Sequence, residues 1–264
     1  MTDRIQSEFS FQGLGRREVR ADFDGGRVTS DGGGLLLREV ERRRGWIRSL
    51  AGCFADHREA GRVEHPVEAM VAQRVYGLAL GYEDLNDHDH LRADPLLAVL
   101  CGRTDPLGAD RRRPEDRGRP LAGKSTLQRL GHGAGPESRY AKVALDEAAA
   151  ADLFVERFIA GRKEAPEELV LDLDATDDPL HGRQEGRFFH GYYDAYCYLP
   201  LYIFCGDELL CARLRTSDRD ASAGALDEVR RIAGLLRGAW PGVRIVLRAD
   251  SGFAREEIMA WCEA

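Results

Sequence analysis

Glu168-Leu169-Val170-Leu171-Asp172-Leu173-Asp174-Ala175-Thr176-Asp177-Asp178-Pro179 is the stretch whose reading decides the fold. An apolar run alternates into acid and stops at a proline. Val170 and the leucines at 169, 171 and 173 favour an extended, largely buried strand. Carboxylates are costly on such a strand unless something compensates their desolvation, yet Asp172, Asp174, Asp177 and Asp178 crowd its C-terminal end. Like charges held close repel unless a cation or hydrogen-bond donors neutralise them. Two readings follow: a metal-binding strand end, or an acidic loop whose aspartates satisfy turn backbone. On this stretch alone the loop is the more economical, because Asp is common in turns.

Reading outward toward the C-terminus separates the two. Tyr196–Cys205 is aromatic and β-branched, with Pro200 placing a bulge or an edge. Leu209–Leu214 follows the turn Gly206-Asp207 and completes a hairpin. Asp220 or Ser222 then caps a helix with Leu226, Val229, Ala233, Leu236 and Trp240 on one face, ended by Pro241-Gly242. Val243–Leu247 is a further strand running into Arg248-Ala249-Asp250-Ser251-Gly252-Phe253, and a last helix begins near Arg255. This β-β-β-α-β order sets the strand of Asp174 beside the strand of Asp250 in a mixed sheet. Their C-terminal ends then lie one strand spacing apart, close enough for two carboxylates to share a divalent cation. Hard oxygen ligands without a Cys or His pair nearby favour Mg²⁺ or Mn²⁺ over zinc. Such sites, completed by another carboxylate, position two metals for in-line attack on a phosphodiester. Singly, each aspartate reads better as a cap or a turn residue; together, at equivalent positions, they favour the metal site.

Toward the N-terminus the character is helical. Residues 1–30 form a lead-in with strand-like pieces at Val19–Phe23 and Arg27–Thr29. Residues 31–161 carry helix signals: Ser30-Asp31 with three glycines before Leu35–Val40, Pro66 before Val67, Met70, Val71, Val75 and Leu78, and Asp94-Pro95 before Leu96–Leu100. A long alanine-rich helix spans 138–161, with Val143, Ala144, Phe154, Val155 and Phe158 available for burial. Asn86-Asp87-His88-Asp89-His90 resembles a metal cluster by composition, but neighbours at i and i+2 on a helix face apart. The irregular segment 105–123 is rich in Pro, Gly and Arg, and it ends in Gly118-Arg119-Pro120-Leu121-Ala122-Gly123-Lys124-Ser125. That string fits G-x-x-x-x-G-K-[ST], but a phosphate-binding loop needs a buried strand before it. Arginines and prolines stand there instead, so the nucleotide reading fails; Ser125 reads as a helix cap. The arginines Arg111, Arg112, Arg113, Arg117 and Arg119, with Lys124, are candidate contacts to a phosphate backbone.

Bulk properties bound the class. With 43% hydrophobic and 31% charged residues over 264 positions, wholesale disorder is excluded and a real core is available. No apolar run of about 18 residues appears, so no membrane span is expected, and the first residues lack a signal-peptide pattern, which points to the cytosol. The six cysteines are scattered without a C-x-x-C pair and read as reduced thiols. A net charge of −7 opposes non-specific nucleic-acid binding, although the arginines are locally concentrated.

The strings LDLDATDDPLHGRQEGRFFHGYYDAYCYLPLYIF, DASAGALDEVRRI and RADSGFAREEIMAWCEA strongly resemble bacterial insertion-sequence transposases of the DDE type (DDE transposase family 1-like). VTSDGGGLLLREV, FADHREAGRVEHPVEAMVAQRVYGLALGYEDLNDHD and LAGKSTLQRL look like the N-terminal region of that family. The resemblance implies an α/β fold: a helical, DNA-contacting region over 31–161, followed by an incomplete ribonuclease-H-like mixed β-sheet domain over 167–264. It also implies Mg²⁺-dependent cleavage and strand transfer on double-stranded DNA, at element ends and target. A homo-oligomer on DNA in the bacterial cytoplasm, associated with the nucleoid, is expected with it. The family's first two catalytic aspartates map to Asp174 and Asp250. Two departures stand out: Ala249 replaces the glycine of R-G-D-S-G-F, which would crowd the backbone beside the metal. The family's catalytic glutamate lies downstream of a fifth strand, so a truncated, impaired copy is expected, with Glu256, Glu257 and Glu263 unassigned to that role. The competing expectations are a non-catalytic DNA-binding remnant and a metal-dependent nuclease outside transposition.

Overall fold

A computed structural model of the chain describes residues 8–22, 30–131, 137–138 and 142–264. The expected strand at Arg27–Thr29 and Phe23 at the end of the other lie outside the described residues. The chain divides into two compact units, Met1–Asp146 and Glu147–Ala264.

In the first unit, β1 (Glu8–Leu14) and β2 (Arg17–Asp22) form an antiparallel hairpin. The helices α1 (Gly34–Arg44), α2 (Trp46–Gly52), α3 (Val67–Ala79), α4 (His88–Leu91), α5 (Pro95–Leu100) and α6 (Lys124–Leu127) follow. Between them β3 (Phe54–Asp56) pairs antiparallel with β4 (Val143–Leu145). Leu35, Ile47, Val71, Tyr76, Leu97 and Leu100 make the main core, onto which Phe11, Val19 and Ala21 of the hairpin pack. Asp94 starts α5 as expected, its carboxylate accepting the Leu97 amide at 2.9 Å. Two local expectations fail. Val143 and Ala144 belong to β4 rather than to a helix, because their backbone closes a ladder on β3. Ser125 lies inside α6, which is preceded by Gly123 with no side-chain cap.

His88 is fully buried. Gln73 is locked by a pair of bonds to Ala122, its amide donating to the carbonyl at 2.8 Å and its oxygen accepting the amide at 3.0 Å. Its NH₂ therefore faces His88 Nδ1 at 3.0 Å, while an Arg74 N–H faces Nε2, also at 3.0 Å. An imidazolium would meet donors on both sides and no acceptor. Burial, and then the Arg74 charge, push the His88 pKa down to about 4. His65, buried beside Arg111, is likewise pushed to about 4.

In the second unit, α7 (Glu147–Ala160) precedes the strands β5 (Glu168–Ala175), β6 (Asp178–Pro179), β7 (Phe188–His190), β8 (Ala195–Tyr198), β9 (Leu201–Cys205) and β10 (Glu208–Arg213). Then come α8 (Ala225–Ala239), β11 (Arg244–Ala249) and α9 (Glu256–Glu263). The main sheet has the order β10-β9-β5-β11, with β11 parallel to β5 and the other neighbours antiparallel. This is the mixed α/β sheet expected. The reading of α7 as part of the N-terminal region is corrected: its Val155 and Phe158 join Leu171, Leu201, Ile203, Leu210, Ile232 and Leu236 in the core of the second unit. The long strand expected at Tyr196–Cys205 is broken at Leu199-Pro200, where proline removes a ladder donor. β8 thereby joins β6 and β7 in a separate three-stranded sheet. The hairpin turn Gly206-Asp207 is as expected, Gly206 supplying a φ of 61°. The α8 start falls at Ala225, later than expected, because Asp220 binds the Ser222 amide and hydroxyl instead of a helix end.

Two outcomes follow. Leu171→Ala, at a fully buried position of the central strand, lowers unfolding free energy by about 2–5 kcal/mol, read from denaturant titration. Unfolded histidines protonate near 6.5 whereas His65 and His88 stay neutral down to about 4. In that window only the unfolded chain takes up the proton, so stability falls as pH drops from 6.5 to 4. His88→Gln removes part of that slope, up to about 1.4 kcal/mol per pH unit, measured as urea midpoint against pH.

Candidate metal centre at the ends of two parallel strands

Alternation splits β5 into two faces. Leu169, Leu171 and Leu173 are buried; Glu168, Val170, Asp172 and Asp174 share the other face. The register with β11 pairs Glu168 with Arg244, Val170 with Val246 and Asp172 with Arg248. On this face the rungs read, in order, an ion pair, an apolar pair and a second ion pair. Arg244 contacts the Glu168 carboxylate. Arg248 grips Asp172 with Nε on one oxygen and a terminal nitrogen on the other at 2.8 Å. The guanidinium beside it holds the Asp172 carboxyl below the usual carboxylate range.

The next rung on this face is Asp174 and Asp250. The last paired residues are Ala249 and Leu173, and Asp250 continues in extended backbone at φ −76°, ψ 179°. The two aspartates therefore stand at equivalent positions on neighbouring strands, about 4.8 Å apart by strand spacing. Asp174 is exposed and has no hydrogen-bond or ion-pair partner among the described residues. Asp250 accepts only the Gly252 amide, at 2.9 Å. Gly252 is needed there, since a Cβ would lie 2.9 Å from the same carboxylate oxygen. Ala249 does not crowd the pair: alternation turns its Cβ to the opposite face. On the far side of Asp174, Tyr202 of β9 occupies the facing position.

Tyr193 was not singled out by sequence reasoning. Its hydroxyl donates to the Ala175 carbonyl at 3.3 Å, and its ring lies against His190, centroids 4.9 Å apart. Burial first, then the charges of Asp177, Asp174 and Asp250 among others, raise its phenol pKa. The same phenol thus feels both aspartates. The available signal was the aromatic run Gly191-Tyr192-Tyr193, which no spacing rule ties to Asp174. Asp177 and Asp178 lie past the strand end, with Asp178 pairing Tyr198 through β6. Glu256 and Glu257 are exposed in the first turn of α9. Among the described residues no group of three Asp, Glu, His or Cys side chains is placed to hold a metal. The donor set therefore fits a hard divalent ion as two carboxylates of a site, not as a closed cage.

The basic residues expected to touch DNA fall in the other unit and are not equivalent. Arg111 is turned inward, with Glu64 at 3.3 Å, Asp116 at 3.7 Å and His65 Nε2 at 2.7 Å. Arg112 donates to the Gly61 carbonyl at 2.7 Å. Lys124 reaches Asn86 at 2.9 Å and Asp89 at 3.4 Å. Arg113, Arg117 and Arg119 are exposed, their guanidinium groups without a partner among the described residues.

The model of the family described as transposase DDE domain, group 1, matches residues 11–264. No curated protein and no solved structure matches the chain.

Two unpaired carboxylates on one rung repel. Asp174→Asn is expected to raise the unfolding midpoint in metal-free buffer, by an amount equivalent to about 0.5 kcal/mol, and to abolish any midpoint shift produced by Mn²⁺. Thermal melting with and without Mn²⁺ checks both.

Proposed function

The chain belongs to the transposase DDE domain family, and on that premise we propose that Asp174 and Asp250 are metal-binding catalytic carboxylates for DNA strand cleavage and strand transfer. The carrying observation is the β5–β11 register, which puts these two acids on one rung directly after a rung neutralised by Arg248. The partner is double-stranded DNA, as element ends and as target, bound by a homo-oligomer. No helix among the described residues is long and apolar enough to cross a membrane.

Asp174 and Asp250 would hold Mg²⁺ or Mn²⁺, which would supply Lewis-acid stabilisation of phosphodiester oxygens. The chain's residues do the rest. Arg248 cancels Asp172, so the negative potential is confined to the strand ends. Gly252 orients the Asp250 carboxylate through its amide, and the Tyr193 hydroxyl pins the backbone at Ala175. The expected chemistry is hydrolysis of one phosphodiester by water, which frees a 3′-hydroxyl, and attack of that hydroxyl on a target phosphodiester, forming the new P–O bond as the bond to the target's 3′-oxygen breaks and that oxygen leaves with the proton. Arg113, Arg117 and Arg119 are proposed contacts to the DNA backbone; Arg111, Arg112 and Lys124 support them through the bonds described above.

A second reading, DNA binding without cleavage, is favoured by one observation: the described residues bring two carboxylates to the site rather than three. Incubation of the full chain with labelled element ends and Mg²⁺ decides between them. Nicking and joining are expected, reduced in Asp250→Ala by more than the roughly 10–100-fold that loss of an outer-shell partner costs. Nicking without joining would indicate a nuclease, and undiminished nicking in Asp250→Ala would sink the assignment of this residue.

A further inference from the structure

The first unit contains a cavity of about 360 Å³ lined by seven arginines against three carboxylates, Glu64, Asp89 and Asp116. Even with Asp56 and Glu59, which hold two of these arginines, cationic groups outnumber carboxylates at this one concave place, in a chain whose net charge is −7. Three of the arginines are already used. Arg58 is held by Asp56 through bonds of 2.7 Å, Arg62 lies 3.0 Å from Glu59, and Arg111 sits in the Glu64, Asp116 and His65 group. Of the other four, Arg113, Arg119 and Arg129 have no side-chain partner among the described residues, and Arg92 lies near Asp89, whose carboxyl the Lys124 amide first, and the Arg92 charge among others, hold below the usual range. Arg92 is the most informative. It packs against Gly123, where a Cβ would come within 3.1 Å of its guanidinium, and its Nε is buried with no hydrogen-bond partner. A buried N–H without an acceptor costs free energy.

Guanidinium groups carry donors only and stay charged at any working pH. Four of them on one wall, with Asp89 the one carboxylate near them, select a tetrahedral oxyanion able to take several N–H bonds at once. The volume equals roughly a dozen waters at about 30 Å³ each, enough for a phosphate with its attached sugar and too large for a lone metal ion. Ser125 and Thr126 add hydroxyls to the wall. This is not the rejected phosphate-loop geometry, because side chains rather than a strand-to-helix loop make the site.

We propose that this cavity is a phosphate-binding site, formed by Arg92, Arg113, Arg119 and Arg129, that grips a phosphodiester of DNA. Only the source of the phosphate rests on the transposase reading; the oxyanion chemistry stands on the cavity alone. Two groups flagged by their sequence clustering, Arg111 and Lys124, are then supports of the wall, while Arg92 and Arg129 are contacts that clustering did not reveal.

The test uses the full chain in metal-free buffer with chelator, so that failure of strand cleavage cannot affect it. Binding of labelled duplex DNA by anisotropy across a salt series, and of inorganic phosphate by calorimetry, is compared for the parent, Arg92→Ala/Arg129→Ala and Arg113→Ala/Arg119→Ala. Arg237→Ala, on an exposed face of α8, is the control. Each double variant is expected to weaken duplex binding at least tenfold and to flatten the log–log salt slope by about 0.9, the contribution of one phosphate contact, with the control unchanged. Loss of phosphate binding with intact DNA binding would keep the phosphate chemistry and overturn DNA as its source. Parent-like binding of both ligands by either double variant that melts like the parent would overturn the proposal. The second pair is exposed, which keeps the test open if removing Arg92 prevents folding.

Discussion

The second unit depends on one pairing, the parallel register of β11 on β5. Opposite charges directly across two strands stabilise a pair, whereas like charges oppose it. Here the outer face alternates Glu168 with Arg244, Val170 with Val246 and Asp172 with Arg248, so the register matches every group until the strands end. A shift by one residue would place the leucines outside and the charges in the core. The unmatched rung, Asp174 beside Asp250, is therefore fixed by three matched ones. The repulsion it carries is tolerated because burial of Leu169, Leu171 and Leu173 on the other face holds the strands together.

The same arrangement explains why the four aspartates of 172–178 are not equivalent. Asp172 has a guanidinium, Asp178 a place in a short ladder, and Asp177 lies past the strand end. Asp174 alone of these, without a side-chain partner among the described residues, stands across from a second carboxylate on the neighbouring strand. Strained or unpaired polar groups cluster where a protein binds something, since elsewhere they lower stability without return. The DNA-contacting reading of the first unit follows a parallel logic: what matters there is which arginines lack acceptors, not how closely they follow one another in sequence.

Periodicity and punctuation made much of the second unit legible. Leucine alternation marked β5, Gly206-Asp207 marked the hairpin, and the apolar stripe of α8 marked the crossover that makes β11 parallel to β5. The two site aspartates could be paired from that order alone. The errors have local physical causes. Pro200 broke an apparently continuous strand because a missing N–H outweighs β propensity. Val143 and Ala144 entered a strand because a partner, β3, lies almost ninety residues away in sequence. Ser125 sat inside a helix because Gly123 already provided the extended backbone ahead of it.

What the sequence by itself determined is the set of elements, the α/β class and the two acidic strand ends, because these follow from side-chain pattern within a few residues. Only the tertiary structure decided which acid is neutralised, that Tyr193 lies in the field of both site aspartates, that α7 serves the second core, and that Arg111 is buried while Arg92 faces a cavity. Each of these is a long-range pairing: charge compensation and burial are properties of neighbours in space, and a one-dimensional pattern does not specify them. The acidic strand end is thus visible in the sequence as two acids at matching places, and stands out in the structure because the register leaves those two, and not Asp172, without a counter-charge.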